Sequence, residues 1–304
     1  MSKASERMRR EWKENDAKRD AGLKTPETVR RFDDLIYGTN EAIHRLDCFR
    51  PKSSGMKKLP TIVVVHGGGW VYGDKELYQH YACTLAERGF AVICYTYSLA
   101  PEFHFPASFV DTNNVIKWMY EHADEYGLDM DNVCLAGDSA GAHMTGIYTA
   151  MCTDEKFASE IGITIPYHFK PKAIFMNCGA YTLKDDKEKD PNKEPDDGDH
   201  NDELMEDLMG HPATDEELGM LDVLKHINAS FPPAFIMSAY GDFLLDQQPM
   251  LVKEYEKNHI FYESRIYGSE SEPLYHVFHL NMRLPIGQKC NDEECDFFRK
   301  IVDL

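Results

Sequence analysis

Gly137-Asp138-Ser139-Ala140-Gly141 sets a serine between two glycines, directly after the apolar run 133–136 and directly before a helical stretch that starts at Ala140. A strand–turn–helix of this kind turns so sharply that the serine backbone is strained. Its hydroxyl then projects above the sheet at the helix N-terminus. That is the setting of a nucleophilic serine; the alternative is a serine that only caps the helix. A second cluster, His66-Gly67-Gly68-Gly69-Trp70, follows the β-branched run 61–65. Successive glycines let main-chain N–H groups turn inward with no side chains in the way, so the loop can hold an anion. The lysine and Ser/Thr of a phosphate loop and the G-x-G-x-x-G spacing are both missing. What remains is a cradle for a developing oxyanion, at roughly 3 kcal/mol per donor, or a plain flexible turn.

Other residues offer weaker chemistry. Asp196, Asp197, Asp199, His200 and Asp202 resemble a calcium loop in type, but the EF-hand glycine and distal glutamate are absent, and a solvated loop is the better reading. His66 has no HxxH or HExxH partner, so no metal and no cofactor is expected. Arg7, Arg9, Arg10 and Lys13 alternate with acids, as on one exposed face of a helix. The eight cysteines show no framework spacing and read as buried thiols.

Strands and helices must position these clusters. Strands are expected at 61–65, 90–95, 133–136, 173–177, 234–238 and 261–266, with helices at 76–88, 107–124, 140–151, 247–257 and 287–302. Continuous β-branched and apolar runs mark strands buried on both faces. Their alternation with helices implies parallel pairing through right-handed crossovers, hence an α/β class with a mostly parallel central sheet and helices on both faces. Upstream, 5–20 reads as a helix, Thr25-Pro26-Glu27 as a further helix start, and 43–49 as a short strand. The alternation breaks at 181–230, a charged run followed by short helical stretches. The expected organisation is N-terminal helices at 1–40 joining a cap, core at 41–180, a cap insertion at 181–230, and core again at 231–304.

In chain order, His66-Gly67-Gly68-Gly69-Trp70, then Tyr97-Ser98-Leu99-Ala100-Pro101-Glu102 running on to Phe105-Pro106-Ala107, then Gly137-Asp138-Ser139-Ala140-Gly141 resemble the hormone-sensitive-lipase-like family of α/β-hydrolases, in its bacterial esterase branch. The resemblance spans roughly 40–304. It implies the α/β-hydrolase fold with a helical cap. Ser98 stands where the family usually has arginine, in a segment that carries no chemistry. The family order of nucleophile, acid and histidine implies Ser139, Asp242 and His276. Asp242 matches the first aspartate of D-P-L-x-D, with Phe243 in place of proline. Asp246 is the rival acid, read instead as a cap for a helix beginning at Gln247. His276-Val277-Phe278 aligns with H-G-F, valine replacing glycine; His279 fits no family position and reads as a packing residue. The resemblance assigns the oxyanion hole to the N–H groups of Gly68, Gly69 and Ala140. Trp70 and Asp138 are expected in the substrate pocket.

The implied function is a serine carboxylesterase acting through an acyl-enzyme on short-chain esters, acetyl to about hexanoyl. Two alternatives stay open. One is a non-catalytic small-molecule binder, as in the plant gibberellin receptors that share this fold. The other is a peptidase or amidase using the same residues. With 33 Lys and Arg against 52 Asp and Glu, the net charge of −19 argues against nucleic acid and anionic membrane partners. No run reaches the roughly 20 apolar residues of a membrane span, and no export signal is visible, so a cytoplasmic location is expected. The 261–266 strand is the candidate edge for a homodimer.

Overall fold

The computed structural model describes residues 1–183 and 201–304. Helix α1 (Lys3–Asp20) leads into strands β1 (Val29–Ile36), β2 (Arg45–Pro51) and β3 (Leu59–Val65). Then come α2 (Gln79–Glu87), β4 (Ala91–Tyr95), α3 (Ala107–Tyr126), β5 (Leu128–Asp138), α4 (Ala140–Thr153), α5 (Glu155–Ile161) and β6 (Ala173–Asn177). Helices α6 (Asn201–Met209) and α7 (Asp215–Met220) precede β7 (Ala234–Ala239), α8 (Gln248–Lys257), β8 (Tyr262–Tyr267) and α9 (Pro285–Ile301).

The strands form one sheet in the order β1-β2-β4-β3-β5-β6-β7-β8. β1 and β2 pair antiparallel with their neighbours, and every pair from β4 through β3 to β8 is parallel. Alternate side chains feed two cores, one on each face. From β3, Val63 and Val65 enter the first and Ile62 and Val64 the second; from β4, Ile93 and Val92 divide the same way. All eight cysteines are buried free thiols. Among the described residues no helix is long and apolar enough to cross a membrane.

The chain departs from the sequence expectations in two places here. Thr25-Pro26 begins no helix: the segment after α1 extends into β1, which pairs with β2 and widens the sheet. The 1–40 region therefore supplies one helix and one strand. Asp246 lies inside a 3₁₀ turn, Leu245–Gln247, so it is not the cap of α8. Asp196, Asp197, Asp199 and His200 lie outside the described residues. The described part of the insertion packs its α6 against α1. The Ala4 N–H donates to Glu203 at 3.0 Å and the Ser2 N–H to Asp207 at 2.9 Å, both on α6. These carboxylates satisfy donors at the N-terminal end of α1 and complement its dipole.

Central strand positions carry the stability. Ile93→Ala, at a fully buried site, is expected to cost about 2–5 kcal/mol. Urea unfolding followed by circular dichroism measures it, and a cost below about 1 kcal/mol would contradict the packing described.

Candidate active site

The β3–β5 ladder pairs Val65 with Gly137, so the glycine loop and the serine turn leave the sheet side by side. Ser139 has φ +54 and ψ −124, a conformation L-residues rarely adopt. Its N–H donates to the Asn177 carbonyl at 3.0 Å, at the end of β6. The turn closes tightly on the sheet: a Cβ on Gly141 would lie 2.1 Å from the Val65 carbonyl oxygen. Gly68 has φ +115, and a Cβ there would lie 1.9 Å from the Tyr72 carbonyl oxygen. Glycine is thus required at both places.

Two loops at the C-terminal ends of β7 and β8 bring the acid and the histidine together. The Asp242 carboxylate can only accept, so His276 Nδ1–H donates to it, at 2.9 Å and 3.0 Å to its two oxygens. That leaves Nε2 as the free nitrogen of His276. Burial alone would raise the Asp242 pKa. The hydrogen bond and charge of His276, the Cys178 thiol and the Leu244 N–H outweigh it and hold the carboxyl below its usual value. Val277 sits at φ +51, a left-handed position that glycine occupies without strain and valine does not. His276 nevertheless reaches Asp242 across it. Phe243 is 66% exposed and lies against the imidazole, with ring centroids 4.5 Å apart.

Ser139, His276, Gly68 and Asp138 line one cavity of about 310 Å³. Gly69 and Ala140 adjoin it without lining it. A Cβ on Gly69 would meet Leu204, Met8 and Trp12 at 3.6 to 3.8 Å, on the α1 and α6 side. Among the described residues no acceptor bonds the N–H groups of Gly68, Gly69 or Ala140; Ala140 is the first residue of α4, where such donors have no partner within the helix.

Trp70 is not in the cavity wall. Its indole is buried and donates to His143 Nδ1 at 3.3 Å, while His143 Nε2–H donates to the Leu221 carbonyl at 2.8 Å. Burial pushes the His143 pKa down to about 4, so the ring stays neutral and carries both bonds. Trp70 therefore ties the cap segment to the core. Asp138 does reach the cavity, with both oxygens committed. Tyr78 OH donates to them at 2.8 and 2.9 Å, and the Gly67 N–H donates to one at 3.2 Å. Asp138 thus pins the start of the glycine loop.

Helix α1 supplies part of the cavity wall. Trp12, Asp16 and Arg19 line the cavity beside Tyr72 and Tyr78. Sequence reasoning missed them, although their spacing of four and three residues marks one helical face. Cys178 was also missed. It follows β6 at φ +47, and its Sγ lies within 4.8 Å of ligand atoms of Asp242 and His276, a grouping that could hold a metal. Burial and the Asp242 charge push the thiol well above its usual value. It is thus a protonated donor, and Asp242 is among the groups that feel it.

Burial raises the Asp138 pKa from 3.8 to about 6 against the opposing bond from Tyr78. The folded state then keeps a proton that the unfolded chain releases. The stability this contributes is complete below 3.8 and is lost as the pH rises through about 6. Thermal melts of the wild type and Asp138→Asn between about pH 4 and 8 should show the wild type losing ground to the variant up to this point and none beyond it. Parallel curves would show that Asp138 does not titrate there.

The BD-FAE family model matches residues 46–251. An esterase of Gibberella moniliformis is 30% identical over 211 residues, which cover 66% of this chain and 62% of the fungal protein. The chain thus spans less than two thirds of that relative's length. The acetyl esterase of Salmonella enteritidis is 27% identical over 246 residues, covering 78% of this chain and 71% of that one. Among solved structures, esterase B of Lactobacillus rhamnosis, in a C6-C4 SN3 inhibited form, superposes with a TM-score of 0.86 at 23% identity, over 99% of this chain and 97% of that one. At that identity the likeness concerns the fold. With the matched family model covering most of the sheet and the nucleophile turn, the chain belongs to the BD-FAE family of hormone-sensitive-lipase-like α/β-hydrolases.

Proposed function

We propose that the protein is a serine carboxylesterase that hydrolyses short-chain acyl esters, acetyl to about hexanoyl, of small-molecule alcohols. One observation carries this reading: an imidazole bonded through Nδ1 to a buried carboxylate opens on the same cavity as a serine held at φ +54. In this reading His276 Nε2 takes the Ser139 proton as the hydroxyl attacks the ester carbonyl. Asp242 holds the tautomer and stabilises the imidazolium. The oxyanion meets the N–H groups of Gly68, Gly69 and Ala140. His276 then protonates the leaving alcohol, and water repeats the cycle on the acyl-enzyme. A cavity of about 310 Å³ is at the lower end of the range for small-molecule sites, about 300–1,000 Å³, which favours short acyl chains. The relatives named as esterases point the same way. The intact Asp242–His276 bond favours turnover over simple ligand binding.

Treatment with a fluorophosphonate should add one adduct to the intact protein, located at Ser139. Ser139→Ala should lower turnover of p-nitrophenyl acetate and butyrate by roughly 10⁶-fold. Absence of the adduct, or activity that climbs into long-chain interfacial substrates, would overturn the reading. We further infer a homodimer across the free edge of β8, where Phe261 and Ile266 are exposed. Light scattering should give twice the monomer mass, and a monomer at high concentration would remove the inference.

A further inference from the structure

His276 is held along one edge and flanked by a phenyl ring. The edge is Nδ1, bonded to the two Asp242 oxygens at 2.9 and 3.0 Å. The phenyl ring is that of Phe243, its centroid 4.5 Å from that of the imidazole and the two planes inclined at 44°. A single turn supplies both partners. Asp242 Oδ1 accepts from the Leu244 N–H at 2.8 Å, and the Leu245 N–H donates to the Asp242 carbonyl at 3.1 Å. Phe243 lies between these anchors. The carboxylate that fixes the imidazole therefore also fixes the backbone that carries the phenyl ring.

Burial does not account for Phe243. It is an exposed aromatic residue that belongs to neither apolar core, and among the described residues its ring contact is with His276. A ring left in water gains little from the hydrophobic effect. Its π-system, however, attracts a cation within about 6 Å of the centroid and a neutral group much less. The imidazole is neutral as substrate binds. It becomes a cation only as the Ser139 Oγ–H bond breaks, Nε2 takes the proton and Oγ bonds to the ester carbon. A contact that strengthens at that moment lowers the barrier and leaves ground-state binding nearly unchanged. Building on the serine-esterase reading above, we propose that Phe243 is a positioning residue of His276, whose ring stabilises the imidazolium formed as Ser139 attacks.

Fluorinated phenylalanines at position 243 test this directly, because each fluorine weakens the ring's attraction for a cation while its shape stays nearly constant. The substrates are ethyl acetate and ethyl butyrate, which have no aromatic group to stack on the ring, and the released acid is titrated. From phenylalanine through mono-, di- and trifluorophenylalanine, kcat/KM should fall stepwise, to about two- to fivefold below the wild type. The loss should lie in kcat with KM nearly constant. Phe243→Leu, apolar but without a π-face, should show the full loss, and Phe243→Tyr should keep the wild-type rate. A flat fluorine series, a wild-type rate in Phe243→Leu, or a loss confined to KM overturns this inference alone. No hydrolysis of either ester by the wild type, with no fluorophosphonate adduct at Ser139, overturns the esterase reading and this inference with it.

Discussion

Val65 pairs with Gly137 in the parallel ladder between β3 and β5, and every distance in the site depends on that register. Sheet side chains alternate with a period of two, so a slip of one residue would reverse which side chains face each core and separate the glycine loop from the serine turn. The register is held from both sides. β-branched residues of β3 are fully buried between two helical layers, and β5 pairs onward with β6 as far as Asp138 and Asn177. The loops after β3, β5, β7 and β8 leave at the C-terminal ends of the strands, where ligands of open parallel sheets bind.

Beneath the serine turn lies a polar network that burial makes costly. The Asn177 carbonyl accepts the Ser139 N–H, and its side chain donates to Glu294 at 3.0 Å. Tyr81 OH also donates to Glu294, at 2.6 Å. Burial raises the Glu294 pKa to about 7 against these bonds, as it raises Asp138. A core of hydrocarbon alone would stabilise the fold more simply. What the two acids provide is direction. Each fixes a main-chain segment that carries part of the site, Glu294 through Asn177 and Asp138 through Gly67.

Much of this was legible in the sequence because it rests on local rules. Continuous apolar runs announced the buried strands, and the glycines flanking Ser139 announced a turn with no room for a Cβ. The misreadings fall where tertiary contacts override local preference. Thr25-Pro26 looks like a helix start, yet the following residues found a free edge beside β2 and extended. Trp70 looked like a pocket residue because of its place in the chain, but its indole N–H needed an acceptor, and His143 lay inward. Val277 shows the converse. The sequence marks it as a departure from glycine, and the structure places it at φ +51, so the loop bears that strain to keep His276 against Asp242.

Helix α1 is bound to the molecule in a different manner from the elements that carry the chemistry. Only Ala4 and Ser5 of its residues are buried. It is held instead by hydrogen bonds: Arg9 to the Val71 carbonyl at 2.7 Å and to Glu102 at 2.6 Å, Arg19 to the Leu77 carbonyl at 3.0 Å, and Arg283 to the carbonyls of Arg19 and Ala21 at its C-terminal end. Of these, the Arg9–Glu102 ion pair is partly exposed and contributes about 0–1 kcal/mol. Asp16 and Arg19, on its cavity face, are themselves among these anchors, through Tyr72 and the Leu77 carbonyl. Ser139, Asp242 and His276 stand on turns and loops at strand ends, whereas part of the cavity wall beside them comes from a helix with only two buried residues.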